Sequence, residues 1–196
     1  VGPNNFMANG KPGTLGQPMP HVDVKLVDPQ GNEVPAGGEG EILLRGPHTC
    51  AGYWNKPEAT AKAFAGGWFN TGDLGQVDSD GHFSIVGRLK DMIISGGANI
   101  YPAEIERVIE GHPAVAGVAV IGVPDAKWGE VGKAIVELKP GASLTLETLL
   151  SFLKDRLGKF KLPKYLKVAD SLPRTPASAK IQKFMLKERH GGANND

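Results

Sequence analysis

Cysteine is nearly absent, and with one residue, Cys50, no disulfide can form within the chain. A lone thiol fits a reducing, cytoplasmic setting, and Cys50 is expected to be a small packed residue. Long hydrophobic runs are missing as well. The longest, Val115 to Val123, is far too short to span a bilayer, so any membrane association is expected to be peripheral. No charged-then-apolar leader opens the sequence, which argues against a secretory signal. There is no internal repeat. Nor is there a strong net charge: the formal balance over 196 residues is +1. It is uneven, however, with 5 Lys/Arg against 9 Asp/Glu from Val1 to Gly87, then 17 against 12 from Arg88 to Asp196. Lys154, Arg156, Lys159, Lys161, Lys164 and Lys167 crowd one segment and suit a polyanionic ligand. No nucleic-acid-binding motif accompanies them, so a nucleic-acid partner is not expected.

What is there divides near residue 88. Before it, Val22 to Val27 alternates, Asp28 to Asn32 turns the chain, and Glu41 to Arg45 is a second strand closed by Gly46-Pro47. Leu74 to Val77, Asp78-Ser79-Asp80-Gly81 and His82 to Val86 predict a hairpin. Pro57 to Phe64 predicts one short helix with Pro57 in its first position. After it, helix and strand alternate. Pro102 opens a helix carrying Glu104 and Glu106 near its positive end, with Ile105, Val108, Ile109 and His112 on one face. Val115 to Val123, Ala134 to Leu138 and Tyr165 to Val168 read as strands. Thr145 caps a helix from Leu146 to Leu157 that Gly158 stops, and Ile181 to Glu188 closes the fold. The fold class is therefore α+β: an antiparallel barrel or roll over residues 1–88, an α+β lobe over 89–190, and a disordered tail over 191–196.

Between these halves lies a heavily punctuated joint: Gly87-Arg88-Leu89-Lys90-Asp91, a short apolar strand, Ser95-Gly96-Gly97, then Tyr101-Pro102-Ala103-Glu104. Asp73, after Thr71-Gly72, reads either as a turn residue or as a carboxylate that accepts both hydroxyls of a ribose. Arg88 follows a strand and a glycine, where it can donate to the same sugar or to a phosphate. The hairpin between them can bring both to one mouth. Gly96-Gly97 reads as a plain strand-to-helix turn or as a bare backbone past which a thin ligand slides. Gly129 to Lys133 offers Gly-x-x-Gly-Lys, too short for a phosphate-binding P-loop.

The ordered motifs are specific. Gly52-Tyr53-Trp54, Pro57-Glu58-Ala59-Thr60, Gly67-Trp68-Phe69-Asn70-Thr71-Gly72-Asp73, the joint, Val123-Pro124-Asp125, Trp128-Gly129-Glu130, Phe160-Lys161-Leu162-Pro163-Lys164 and Lys180-Ile181 resemble the acyl-CoA synthetases. These belong to the adenylate-forming superfamily, with firefly luciferase and peptide-synthetase adenylation domains. The resemblance runs over residues 10 to 190. It implies an AMP-forming acid–thiol ligase that joins a carboxylic acid to ATP, releases pyrophosphate, and passes the acyl group to coenzyme A, with Mg2+ accompanying ATP. Residues 1–88 would then end the large AMP-binding domain, and 89–190 would form a mobile C-terminal lobe.

By the same resemblance, Asp73 and Arg88 bind the nucleotide, Lys90 is the hinge, and Lys180 is the catalytic lysine of adenylation. Ser95, Gly96, Gly97, Ala98 and Asn99 line the pantetheine tunnel, and Trp128, Lys161 and Lys164 are candidates for the remainder of CoA. No metal ligand is implied in this chain. The joint is most similar to that of bacterial medium- and long-chain fatty acyl-CoA synthetases, with hydroxycinnamate or benzoate ligases as the alternative. For the chain alone, a module that only binds CoA or a nucleotide also stays open, and so does an oligomeric full-length protein. Two positions depart from the family: Asn70 replaces a common basic residue, and Ser178-Ala179-Lys180 replaces Thr-Gly-Lys. The family's Ser/Thr/Gly-rich phosphate loop and acyl pocket are not in these residues, so the chain alone is expected not to adenylate.

Overall fold

Alternating branched and aromatic residues fold the first part of the chain into a five-stranded antiparallel sheet. The computed structural model describes residues 6–7 and 11–192. Two units are distinct, Val1–Lys90 and Asp91–Asp196. In the first, β1 (Phe6–Met7) and β2 (Gln17–Pro18) form a small antiparallel pair. β3 (Asp23–Val27) pairs with β4 (Glu39–Arg45), and β4 with β6 (Trp68–Val77). The far edge of β6 is shared by β5 (Phe64–Ala65) and β7 (Phe83–Arg88), so the sheet is an open roll. Val22, Leu26, Ile42, Leu44 and Phe83 form its core. Pro57 starts α1 (Pro57–Ala63), a single short helix with no buried residue.

The expected hairpin strand from Leu74 is longer than its sequence suggested, because pairing continues back to Trp68. Its turn is drawn in by Asp78, whose Oδ1 accepts the N–H groups of Asp80 and His82. The Lys11 ammonium beside Asp78 holds that carboxyl down to about 2. Ligand atoms of Asp78, Asp80 and His82 lie within 4.8 Å of one another, with Lys11 supplying positive charge to both aspartates. Cys50 is exposed, contrary to expectation. It follows the turn closed by Thr49 N–H on Gly46 O, where the chain has left β4 and pairs with no strand.

The second unit is a five-stranded sheet with helices on both faces. β10 (Val115–Asp125) and β11 (Gly129–Leu138) form a long antiparallel hairpin. β8 (Ile93–Ser95) and β12 (Tyr165–Ala169) share the other edge of β11, and β9 (Ala98–Ile100) extends β8. The strict helix–strand alternation read from the sequence thus gives way to direct hairpins, and β12 runs parallel to β11. α3 (Leu146–Leu153) provides the crossover that a parallel pair needs. Its Thr145 side chain accepts from Thr148 N–H while the Thr148 hydroxyl accepts from Thr145 N–H. That reciprocal cap satisfies two orphan donors. α3 is shorter than expected, because after Leu153 the chain passes into turns that still bury Leu157.

α2 (Pro102–Glu110) and α3 cover one face with Ile105, Ile109, Leu149 and Leu153 against Val118, Val120, Ala134 and Val136. α4 (Lys183–His190) covers the other, with Leu186 against Ala119, Ile121, Val123 and Ile135. Burial on both faces explains why β10 reads as an unbroken apolar run. Gly191, expected to begin a disordered tail, caps α4 by donating to Lys187 O, and residues 193–196 lie outside the described residues. Among the described residues no helix is long and apolar enough to cross a membrane.

Candidate functional site

In the first unit the sheet itself brings Asp73 and Arg88 together. They are cross-strand partners on β6 and β7, and Arg88 Nε lies 2.9 Å from Asp73 Oδ1. A β-bulge aims the carboxylate. Between the pairs Glu41–Leu74 and Leu43–Asn70, β4 advances by two residues and β6 by four. The extra residues fall at Thr71-Gly72-Asp73, and Gly72 takes φ 68°. Bulges bend a strand and redirect its side chains. This one is internally satisfied: the Thr71 hydroxyl donates to Ile42 O (2.7 Å) and accepts Asp73 N–H (3.0 Å), and Glu41 Oε1 accepts Gly72 N–H (3.0 Å). Asp73 is therefore a strand residue, not a turn residue. Its side chain is 4% exposed, whereas that of Arg88 is 53% exposed, so a buried acceptor sits beneath a reachable donor. Lys90 follows in a 3-10 turn, Leu89–Asp91, exposed and without an ion pair among the described residues.

In the second unit Gly96-Gly97 joins two strands, β8 and β9, instead of a strand and a helix. Both glycines have positive φ, 57° and 85°, the backbone that tight hairpins use. Gly96 is fixed by a second demand. Its N–H donates to Trp128 O, and a Cβ there would fall 2.7 Å from Trp128 Cε3. The neighbour at Gly96 is an indole ring, while around Gly97 the space is open. Ser95, Trp128, Val131, Lys159, Phe160, Leu162 and Lys164 line a cavity of about 390 Å³, within the usual range for small-molecule sites. Ala98 and Asn99 stand on β9, outside that lining.

The basic candidates are less free than their spacing suggested. Lys161 Nζ is bound by both Glu104 oxygens at 2.7 Å, away from the cavity lining. Lys164 pairs with Asp125, whose side chain is 4% exposed. That carboxylate also accepts Lys127 N–H and Trp128 N–H, at 2.9 and 3.0 Å. The ammonium of Lys164 beside Asp125 holds its carboxyl below the usual carboxylate range, and Asp125 in turn raises Lys164. The sequence placed Lys159 only within a basic segment suited to a polyanionic ligand, and gave Asp125 and Phe160 no role of their own. The signal in the sequence is the aromatic residue between two lysines, Lys159-Phe160-Lys161.

Lys180 stands at the end of a closed loop. Arg174 and Ile181 form an isolated bridge, Thr175 N–H donates to Lys180 O, and Gln182 N–H to Pro173 O. Within it the Thr175 and Ser178 hydroxyls lie 2.6 Å apart, and Ala179 takes φ 52°. Lys180 is exposed and its ammonium makes no ion pair among the described residues. Just beyond, Lys183 Nζ meets Glu106 Oε1 at 2.7 Å, and the same oxygen accepts Val120 N–H. This knot ties the start of α4 to α2 and β10.

A family model described as AMP-binding enzyme matches residues 3–54, and one described as AMP-binding enzyme C-terminal domain matches residues 104–179. Feruloyl-CoA synthase of Amycolatopsis sp is 50% identical over 181 residues, 92% of this chain and 37% of that protein. A long-chain-fatty-acid–CoA ligase of Mycobacterium tuberculosis is 44% identical over 92% of this chain and 35% of its own length. The chain thus spans roughly a third of the length of these curated relatives. Among solved structures, ATP-bound MatB from Rhodopseudomonas palustris superposes with TM-score 0.84 at 42% identity, over 93% of this chain and 37% of that one. o-Succinylbenzoate CoA synthetase from Bacillus subtilis, in complex with its acyl-adenylate intermediate, gives TM-score 0.84 at 38% identity, over 94% and 37%.

Proposed function

The chain belongs to the AMP-binding enzyme family, and from that premise we propose that it serves as the C-terminal part of an AMP-forming acid–CoA ligase. The observation that carries this reading is the Asp73–Arg88 pair, a buried carboxylate held by a bulge under an exposed guanidinium. Such a carboxylate can accept both hydroxyls of the ATP ribose, and the arginine can donate to the sugar or its phosphates. Lys180 brings an uncompensated positive charge to the carboxylate oxygen and α-phosphate as they bond, where charge accumulates. Lys90 acts as the hinge on which the following lobe moves between the two half-reactions. In the second half-reaction Ser95 to Asn99 pass the pantetheine arm, and the Trp128–Phe160 cavity takes the nucleotide of CoA. Mg2+ travels with ATP, and no residue of this chain is assigned to it.

The acid is proposed to be a medium- or long-chain fatty acid, in line with the fatty-acid ligase among the relatives. An aromatic acid is the second reading, favoured by the similarity to feruloyl-CoA synthase. The test is acid-dependent ATP–pyrophosphate exchange by the full-length protein, with palmitate and ferulate compared. We expect exchange that Lys180→Ala lowers by roughly 100-fold or more, and none from residues 1–196 alone. Exchange by the 196-residue chain, or wild-type rates in the Lys180 variant, would contradict the proposal.

A further inference from the structure

Two consecutive residues of β4 hold the Thr71-Gly72-Asp73 bulge. Ile42 does so with its backbone, whose oxygen accepts the Thr71 hydroxyl at 2.7 Å. Glu41 does so with its side chain, whose Oε1 accepts Gly72 N–H at 3.0 Å. The two contacts differ in what they demand of the sequence. Any residue at position 42 supplies a carbonyl, but the bond to Gly72 needs a side-chain acceptor of the right length. Ile42 and Leu44 turn into the core, so alternation places Glu41 on the other face of β4, opposite Leu74 of β6 and Val27 of β3. From there its carboxylate spans the point at which the extra residues of β6 leave the ladder. Gly72, at φ 68°, sets the direction in which the chain departs, and Asp73 follows directly. The Glu41 side chain is half-buried and makes no other hydrogen bond or ion pair among the described residues.

We propose that Glu41 is a positioning residue for the nucleotide: by holding Gly72 N–H it fixes the bulge, and with it the aim of the Asp73 carboxylate at the ribose. The inference rests on the reading of Asp73 as the ribose acceptor and adds the residue that sets its direction. Burial makes that direction matter. With its side chain 4% exposed, Asp73 can meet a ligand only through a small opening, so a shift of the backbone behind it is felt as lost hydrogen-bond geometry. Without Glu41, Gly72 N–H would be a part-buried donor lacking a partner, which favours a relaxed bulge. Glu41 touches no ligand in this scheme and acts through Gly72 and Asp73.

The test compares ATP with 2′-deoxy-ATP in acid-dependent pyrophosphate exchange by the full-length protein. A general loss of structure lowers the rates with both nucleotides alike, whereas a misaimed Asp73 lowers the preference between them. Wild type is expected to prefer ATP by about 30-fold in kcat/KM, the loss of one charge-assisted hydrogen bond, and Asp73→Asn by about threefold. Glu41→Met, of similar length but without an oxygen acceptor, should reduce the preference to about fivefold or less. Glu41→Asp keeps the charge but falls a methylene short. It is expected to do the same, and it carries the test if the Met variant does not fold. Glu41→Gln keeps an acceptor at the same reach and should retain the preference to within about twofold of wild type. A preference that survives in Glu41→Met and Glu41→Asp, or that Glu41→Gln loses equally, overturns the positioning role, while its loss in Asp73→Asn leaves the ribose reading in place. Wild type that does not distinguish the two nucleotides, or Asp73→Asn that distinguishes them as well as wild type, overturns the ribose reading and the positioning role together.

Discussion

Ala179, one residue before Lys180, sits at φ 52°, in the left-handed region that an L-residue with a Cβ enters at a cost of roughly 1–2 kcal/mol. The resemblance implies Thr-Gly-Lys where this chain has Ser178-Ala179-Lys180, so the loop has a backbone suited to glycine while carrying an alanine. The hydrogen bonds of Thr175 and the Arg174–Ile181 bridge hold it there. Ala179→Gly should therefore stabilise the chain by about 1 kcal/mol, after the extra entropy glycine loses on folding. A denaturant midpoint that stays level or falls would show that the strain is absent. The departure was legible in the sequence, but whether the position needed positive φ was not, because only the closed loop fixes that torsion. The same limit applied to Asp73. A Gly-Asp dipeptide suggests a turn, and the strand register decides that it is a bulge.

At the scale of elements, the two helices that begin or end near candidate residues are held by side chains whose partners lie far away in sequence. Glu106 on α2 takes the N–H of Val120 on β10 and the ammonium of Lys183 at the start of α4. The two side chains are 15% and 18% exposed, so their pairing is little screened. Glu106→Gln keeps an acceptor for Val120 and leaves Lys183 without its counter-charge. It should cost roughly 2–3 kcal/mol in chemical denaturation, and a loss under about 0.5 kcal/mol would place the pair among ordinary surface salt bridges. Helix positions were readable from Pro102, the apolar stripes and Thr145, since these act within a turn or two of chain. The short apolar strand that becomes β8 is legible before Ser95, but β9 is not, because three residues are too short for a period to register and only the pairing of β8 with β9, and of β8 with β11 at Ser95–Gly129, completes the hairpin.

For the whole molecule, each unit has a core of its own: Leu26, Ile42 and Leu44 in the first, and the two faces of the β10–β11 sheet in the second. Residues 91–196 produced alone should fold cooperatively, with a guanidinium midpoint close to that of the same unit in the full chain. A non-cooperative or absent transition would mean that the second core is not self-sufficient. The α+β class, the change of pattern near residue 88, most helices and the family were determined by sequence alone, because local propensity, capping and ordered motifs are properties of neighbouring residues. Only the tertiary structure decided which strands neighbour which, that Cys50 is exposed, and which lysines are committed. Lys161 and Lys164 look like free cations in a list of residues, but Glu104 and Asp125 reach them across 57 and 39 positions of chain. Charge compensation acts through space, and sequence spacing carries no record of it.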